Sequence, residues 1–80
     1  MDDNQIRQRI EDLVAEEHRL WDDEAAGGST EEDARRLSEV KVTLDELWDL
    51  LRQRRALKAA GQDPEAAGLR DAQTVESYEQ

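Results

Sequence analysis

Cysteine is absent from this 80-residue chain and histidine occurs once, so neither a disulfide nor a structural zinc site of the usual Cys/His kind holds it together. Aromatic residues amount to 4%. No apolar run approaches the roughly 20 residues that a bilayer crossing needs, and the chain opens Met-Asp-Asp-Asn instead of with a basic and then apolar leader. A cytoplasmic, non-membrane protein is therefore expected. The serines Ser29, Ser38 and Ser77 lack any nucleophile signature, and His18 has Ala15 where a carboxylate-bridged metal bundle would place Glu. Gly27-Gly28 lacks the lysine and the preceding strand of a phosphate loop. No catalytic residue, cofactor or metal site is expected, and the chain reads as a non-enzyme.

Charge is plentiful. Charged residues make up 40%, with 21 acidic against 11 basic side chains and a net charge of −10, a balance that approaches the composition of disordered proteins. The excess of negative charge disfavours general binding to nucleic acid or to anionic membranes. A folded reading rests on the order of the apolar residues, because a disordered chain has no reason to space them helically.

That order is clearest over 31–60, where Leu37, Val40, Leu44, Leu47, Trp48 and Leu51 recur at steps of three and four and make one apolar stripe on a helix. Ser29 and Thr30 are cap candidates, Ser29 with Glu32 has capping-box spacing, and Gly61 stops the helix. A first helix is predicted over 3–25, with Ile6, Ile10, Leu13, Val14, Leu20 and Trp21 on one face and Asp3 or Asn4 as cap. The turn 26–30 joins them. Folded antiparallel about Gly28 and Ser29, the stripes register: Ile6 with Leu51, Ile10 with Leu47, Leu13 with Leu44 and Leu20 with Leu37. Glu17 interrupts the first stripe and is expected opposite Val40, either paired with Lys41 or reaching to the seam edge. His18 falls on the flank beside Asp22, and Trp21 and Trp48 lie at the stripe edges as core or interface side chains.

The last turns of the second helix carry Arg52, Arg54, Arg55 and Lys58. Cations suit a helix C-terminus, and folding brings this end toward Asp2 and Asp3, so intramolecular charge complementarity is the simpler reading of the cluster. Leu50 and Leu57 form a second apolar strip, with the stem of Arg54 between them, which the first helix cannot cover. A second copy, giving a dimeric four-helix bundle of coiled-coil type, or the C-terminal segment must cover it. In that segment Asp63 caps and Pro64 opens a short helical turn over 64–67, ended by Gly68. An extended tail, 69–80, follows, from which Leu69, Val75 or Tyr78 is expected to lie on Leu50 and Leu57 while Glu76 or Glu79 approaches the arginines. The candidate partner-binding residues are accordingly Leu50, Arg52, Arg54, Arg55, Leu57, Lys58 and Tyr78, shielded by the tail until a partner displaces it.

The run Leu47-Trp48-Asp49-Leu50-Leu51-Arg52-Gln53-Arg54-Arg55-Ala56, with Glu16-Glu17-His18-Arg19-Leu20, Gly61-Gln62-Asp63-Pro64 and Val75-Glu76-Ser77-Tyr78-Glu79-Gln80, resembles a family of short uncharacterised actinobacterial proteins, a domain of unknown function. The resemblance implies a bacterial cytoplasmic setting and a short helical build. It implies no activity and assigns no catalytic residue. The expectation is an all-α antiparallel hairpin with a short third turn and a tail, acting as a small acidic interaction or regulatory protein with a homodimer as the first assembly. The alternative is a nucleic-acid-associated factor using Arg52 to Lys58.

Overall fold

The computed structural model describes residues 1–68 as two long helices and one short turn: α1 (Asp3–Ala25), α2 (Glu31–Ala59) and the 3-10 turn η1 (Pro64–Ala66). The described residues contain no strand. α1 and α2 form the expected hairpin, and η1 packs back against α2. The tail expected over 69–80, with Tyr78, lies outside the described residues.

Both helices start with a reciprocal capping box. Asp2 accepts from the Gln5 amide while Gln5 returns a bond to the Asp2 amide, and Thr30 and Asp33 do the same at α2. Each cap differs from the sequence expectation. For α1 the cap is Asp2, not Asp3 or Asn4, and the Asp3 side chain is thereby released for other work. For α2 it is Thr30 with Asp33 in place of Ser29 with Glu32, the same spacing one residue later. Both helices also end alike. Gly27 (φ 79°) and Gly61 (φ 72°) take left-handed backbone, and paired amide bonds from Gly27 to Glu24 and Gly28 to Asp23, then from Gly61 to Lys58 and Gln62 to Leu57, satisfy the last carbonyls. The second helix closes at Ala59, with Ala60 as its cap, and the third turn at Ala66, each one residue short of expectation.

The core is one continuous cluster of Ile6, Ile10 and Leu13 from α1 with Val40, Leu44, Leu47, Leu50 and Leu51 from α2, and half-buried Val14 and Ala67 pack against it. Three of the four expected cross-helix pairs lie inside it. Toward the turn Leu20 is buried and Leu37 only half-buried. Leu50 is buried within the cluster, and Ala67, delivered by η1, packs against the same core. Leu57 is half-buried beside η1, at a shallow groove of about 280 Å³ lined by Gln53, Ala56, Leu57, Ala66 and Ala67.

Removing core volume should show how much of the fold this single layer carries. Leu13→Ala is expected to cost about 2–5 kcal/mol, comparable to the few kcal/mol that a core of this size supplies. Leu37→Ala, at a half-buried site, should cost clearly less. Denaturant melts followed by helical circular dichroism check the difference, and equal losses would contradict a core centred away from the turn.

Candidate functional site

Two features stand out from the hydrophobic layer: a polar junction at the closed end, away from the interhelical turn, and an aromatic edge along one side. The junction centres on Arg54. Its position follows the core stripe by one turn from Leu50 and Leu51, so its aliphatic stem runs inward, and it is only 5% exposed. A guanidinium stays charged at any ordinary pH, so burial requires compensation. Arg54 Nε donates to Asp3 Oδ1 at 2.6 Å, and Nη1 donates to the Pro64 carbonyl at 3.3 Å and to Glu65 Oε1 at 3.1 Å. One side chain thus joins the start of α1, the end of α2 and η1.

Asp3 is shared. Its Oδ2 accepts from Lys58 Nζ at 2.5 Å, so the carboxylate bridges two cations from the last turns of α2. This is the intramolecular charge complementarity expected of the basic cluster. The arrangement also sets an acid at the positive end of one helix dipole and cations at the negative end of the other. Hydrogen bonds from Lys58 and then Arg54 lower the Asp3 pKa to about 2, against a residual desolvation that opposes the shift. The bond from Asp3 in turn favours the charged form of Arg54. Nearer the interhelical turn, Arg36 grips Glu16 across the helices with Nε and Nη2 at 2.5 and 2.8 Å, and this hydrogen-bonded pairing lowers the Glu16 pKa.

The structure therefore divides the sequence-derived candidates. Leu50 and Arg54 are inside the fold, Lys58 is held by Asp3, and Leu57 is half-covered; Arg55 is exposed, Arg52 is exposed with an interaction of its own, and Tyr78 is outside the described residues. Beside Asp3, Glu65 reaches Arg54, and the expected Glu76 and Glu79 lie outside the described residues. Sequence reasoning missed Glu65 and the Glu16–Arg36 pair because both are contacts between elements whose rotation the periodicity does not specify to a single side chain. Glu17 is half-buried, and Lys41 does not pair with it among the described residues. Instead Lys41 Nζ sits 5.9 Å from the centroid of the Trp21 ring, while His18 stacks on Trp21 at 5.7 Å.

The aromatic edge follows from helical arithmetic. Val14 and Trp21 come one residue after the core positions Leu13 and Leu20, and Lys41 and Trp48 one after Val40 and Leu47. Equal rotation on antiparallel helices brings all four to the same side, as the Lys41–Trp21 contact shows. Trp21 is 43% and Trp48 44% exposed, the largest apolar surfaces the helices leave open. Among the described residues no group of three or more His, Cys, Asp or Glu is placed to hold a metal ion, and no helix is long and apolar enough to cross a membrane.

Acid tests the junction directly. A carboxyl whose pKa is lower in the fold than in the unfolded chain binds fewer protons when folded, so its contribution is complete above its ordinary value of 3.8 and is lost as pH falls toward about 2. Glu16 acts in the same direction from its ordinary 4.5. The urea midpoint should therefore fall steadily below about pH 4, and Asp3→Asn should be less stable at neutral pH and flatter in this acid window. Parallel pH profiles for the two proteins would contradict the assignment.

With the geometry described, comparison with known proteins places the chain. It is 46% identical over 77 residues to uncharacterized protein Rv0898c of Mycobacterium tuberculosis and, to the same extent, to uncharacterized protein Mb0922c of Mycobacterium bovis, alignments that cover 95% of this chain and 88% of each relative. No solved structure matches it. The family model described as protein of unknown function (DUF2630) matches residues 2–80, which include the capping residue Asp2, its neighbour Asp3, Arg54 and Glu65, and the chain belongs to that family.

Proposed function

We propose that this protein is a small interaction protein that acts through helix-helix contacts, with a second copy of itself as the first partner. The observation that supports this is the edge formed by Trp21 and Trp48, each more than two-fifths exposed on the same side of a hairpin only one layer thick. Tryptophan buries a large apolar area at little rotamer cost and is enriched where proteins meet. Two hairpins meeting on this edge by a twofold axis would bury four indoles and complete a four-helix bundle. Of the strip for which a second copy was expected as cover, Leu50 is buried and Leu57 half-buried within the chain, and the tryptophans offer a different surface.

Electrostatics sets the character of the association. Each copy carries a net charge of −10, so like charges repel at long range and salt, by screening them, should favour pairing. The alternative reading, through Arg52 to Lys58 and nucleic acid, has less to work with, since Arg54 and Lys58 are already held by carboxylates of the chain. It also predicts the opposite salt dependence.

Light scattering over a concentration series, at low and at moderate salt, tests the proposal. A mass rising toward twice the monomer, more readily in salt, is expected, with Trp48→Glu remaining monomeric at unchanged helicity. A wild-type protein that stays monomeric throughout the series would overturn it.

A further inference from the structure

The outer face of α2, turned away from α1 and met by η1 and Gly68 only at Gln53, is shielded from solvent. Asp49 follows the core residue Leu47 by two positions, about 200° around the helix, and so faces away from α1. It is nevertheless only 4% exposed. Val42, Asp45, Glu46 and Gln53, which flank it on the same outward sector, are all half-buried. The cover has clear ends. Arg35 and Ser38 before it, and Ala56 after it, share the sector and are exposed, as are Glu11 and Ala15 on the outward face of α1. The protected stretch runs from Val42 to Gln53, roughly 16 Å of helix.

Gly68 shows where the cover enters. The Gln53 side chain donates from Nε2 to the Gly68 carbonyl at 2.7 Å and to Asp49 Oδ2 at 2.9 Å, so the chain after η1 is held at the C-terminal margin of this face by the same amide that touches the buried carboxylate. Twelve residues, 69–80, follow Gly68. They can span up to about 40 Å, more than twice the protected length. Their chemistry matches the face: Leu69, Val75 and Tyr78 are apolar, and Arg70 is their one cation, two residues beyond Gly68, where the face presents Asp45, Glu46 and Asp49.

We propose that the face of α2 formed by Val42, Asp45, Glu46, Asp49 and Gln53 is a docking surface whose occupant is the chain's own segment 69–80, running back along the helix from Gln53 with Arg70 against the acidic residues. This surface is distinct from the tryptophan edge and meets the groove beside Leu57 at Gln53. It goes beyond the proposed association, since it concerns the opposite side of α2 and holds whether or not two copies pair.

Nuclear Overhauser contacts in the full-length protein test it. Tyr78 is the only tyrosine, so its ring protons are identifiable, and contacts from Tyr78, Val75 or Leu69 to the Val42 methyls and the side-chain protons of Asp45 and Asp49 are expected. An isotope-filtered experiment on mixed labelled and unlabelled protein should show none of them between copies. Arg70→Ala should shift the amides of Asp45 to Gln53 and leave those of Ile6 to Leu13 in place. Contacts seen only between copies, no contact from 69–80 to this face, or an Arg70→Ala spectrum unchanged at Asp45 to Gln53 would each overturn the proposal.

Discussion

The buried guanidinium of Arg54 is the constraint on which the rest of this small structure depends. Two helices and a single seam of nine buried apolar residues fix a layer, but they do not close its end. Arg54 closes it by demanding partners. Its charge cannot be surrendered, its stem is drawn in with the core stripe, and its head must then gather oxygens from wherever the chain offers them: Asp3 from 51 residues away, and Glu65 and the Pro64 carbonyl from the segment just beyond Gly61. Fixing Pro64 and Glu65 brings Ala67 against the core. A buried ion pair is weak evidence for net stability, but an arrangement that took Asp3 and Glu65 away from Arg54 would strand its charge.

The local signals are consistent with that closure. Asp2, not its neighbour, caps α1, which frees Asp3 to bridge Arg54 and Lys58; Gly61 in left-handed backbone turns the chain immediately after α2; and Asp63 with Pro64 starts the short turn that brings Glu65 to Arg54. Each of these residues acts within a few positions of itself. Together they deliver three elements to one side chain, so local preferences and the long-range contact favour the same structure.

Much of this was legible in the sequence, and the reason is periodicity. The steps of three and four that place Ile6, Ile10 and Leu13 against Leu44, Leu47 and Leu51 survive any small error of register, and glycine at positions 27 and 61 marks the ends without ambiguity. What was not legible depended on one residue more or less. Ser29 with Glu32 and Thr30 with Asp33 have identical spacing, and only the packed start of α2 distinguishes them. The register set Glu17 opposite Val40 and beside Lys41, but the Lys41 ammonium sits over the Trp21 ring. Asp49 is the clearest case of all, since nothing in a helical pattern marks an outward aspartate as buried.

If Arg54 ties the two ends of the chain together, then removing its charge must loosen both at once. Amide hydrogen exchange on Arg54→Met reads this directly, through the Ile6 amide bonded to the Asp2 carbonyl at one end and the Ala66 and Ala67 amides bonded to Asp63 and Pro64 at the other. Faster exchange at all three, with the amides of Leu44 to Leu47 changed least, is the expected result. Unaltered protection at either end would contradict the account.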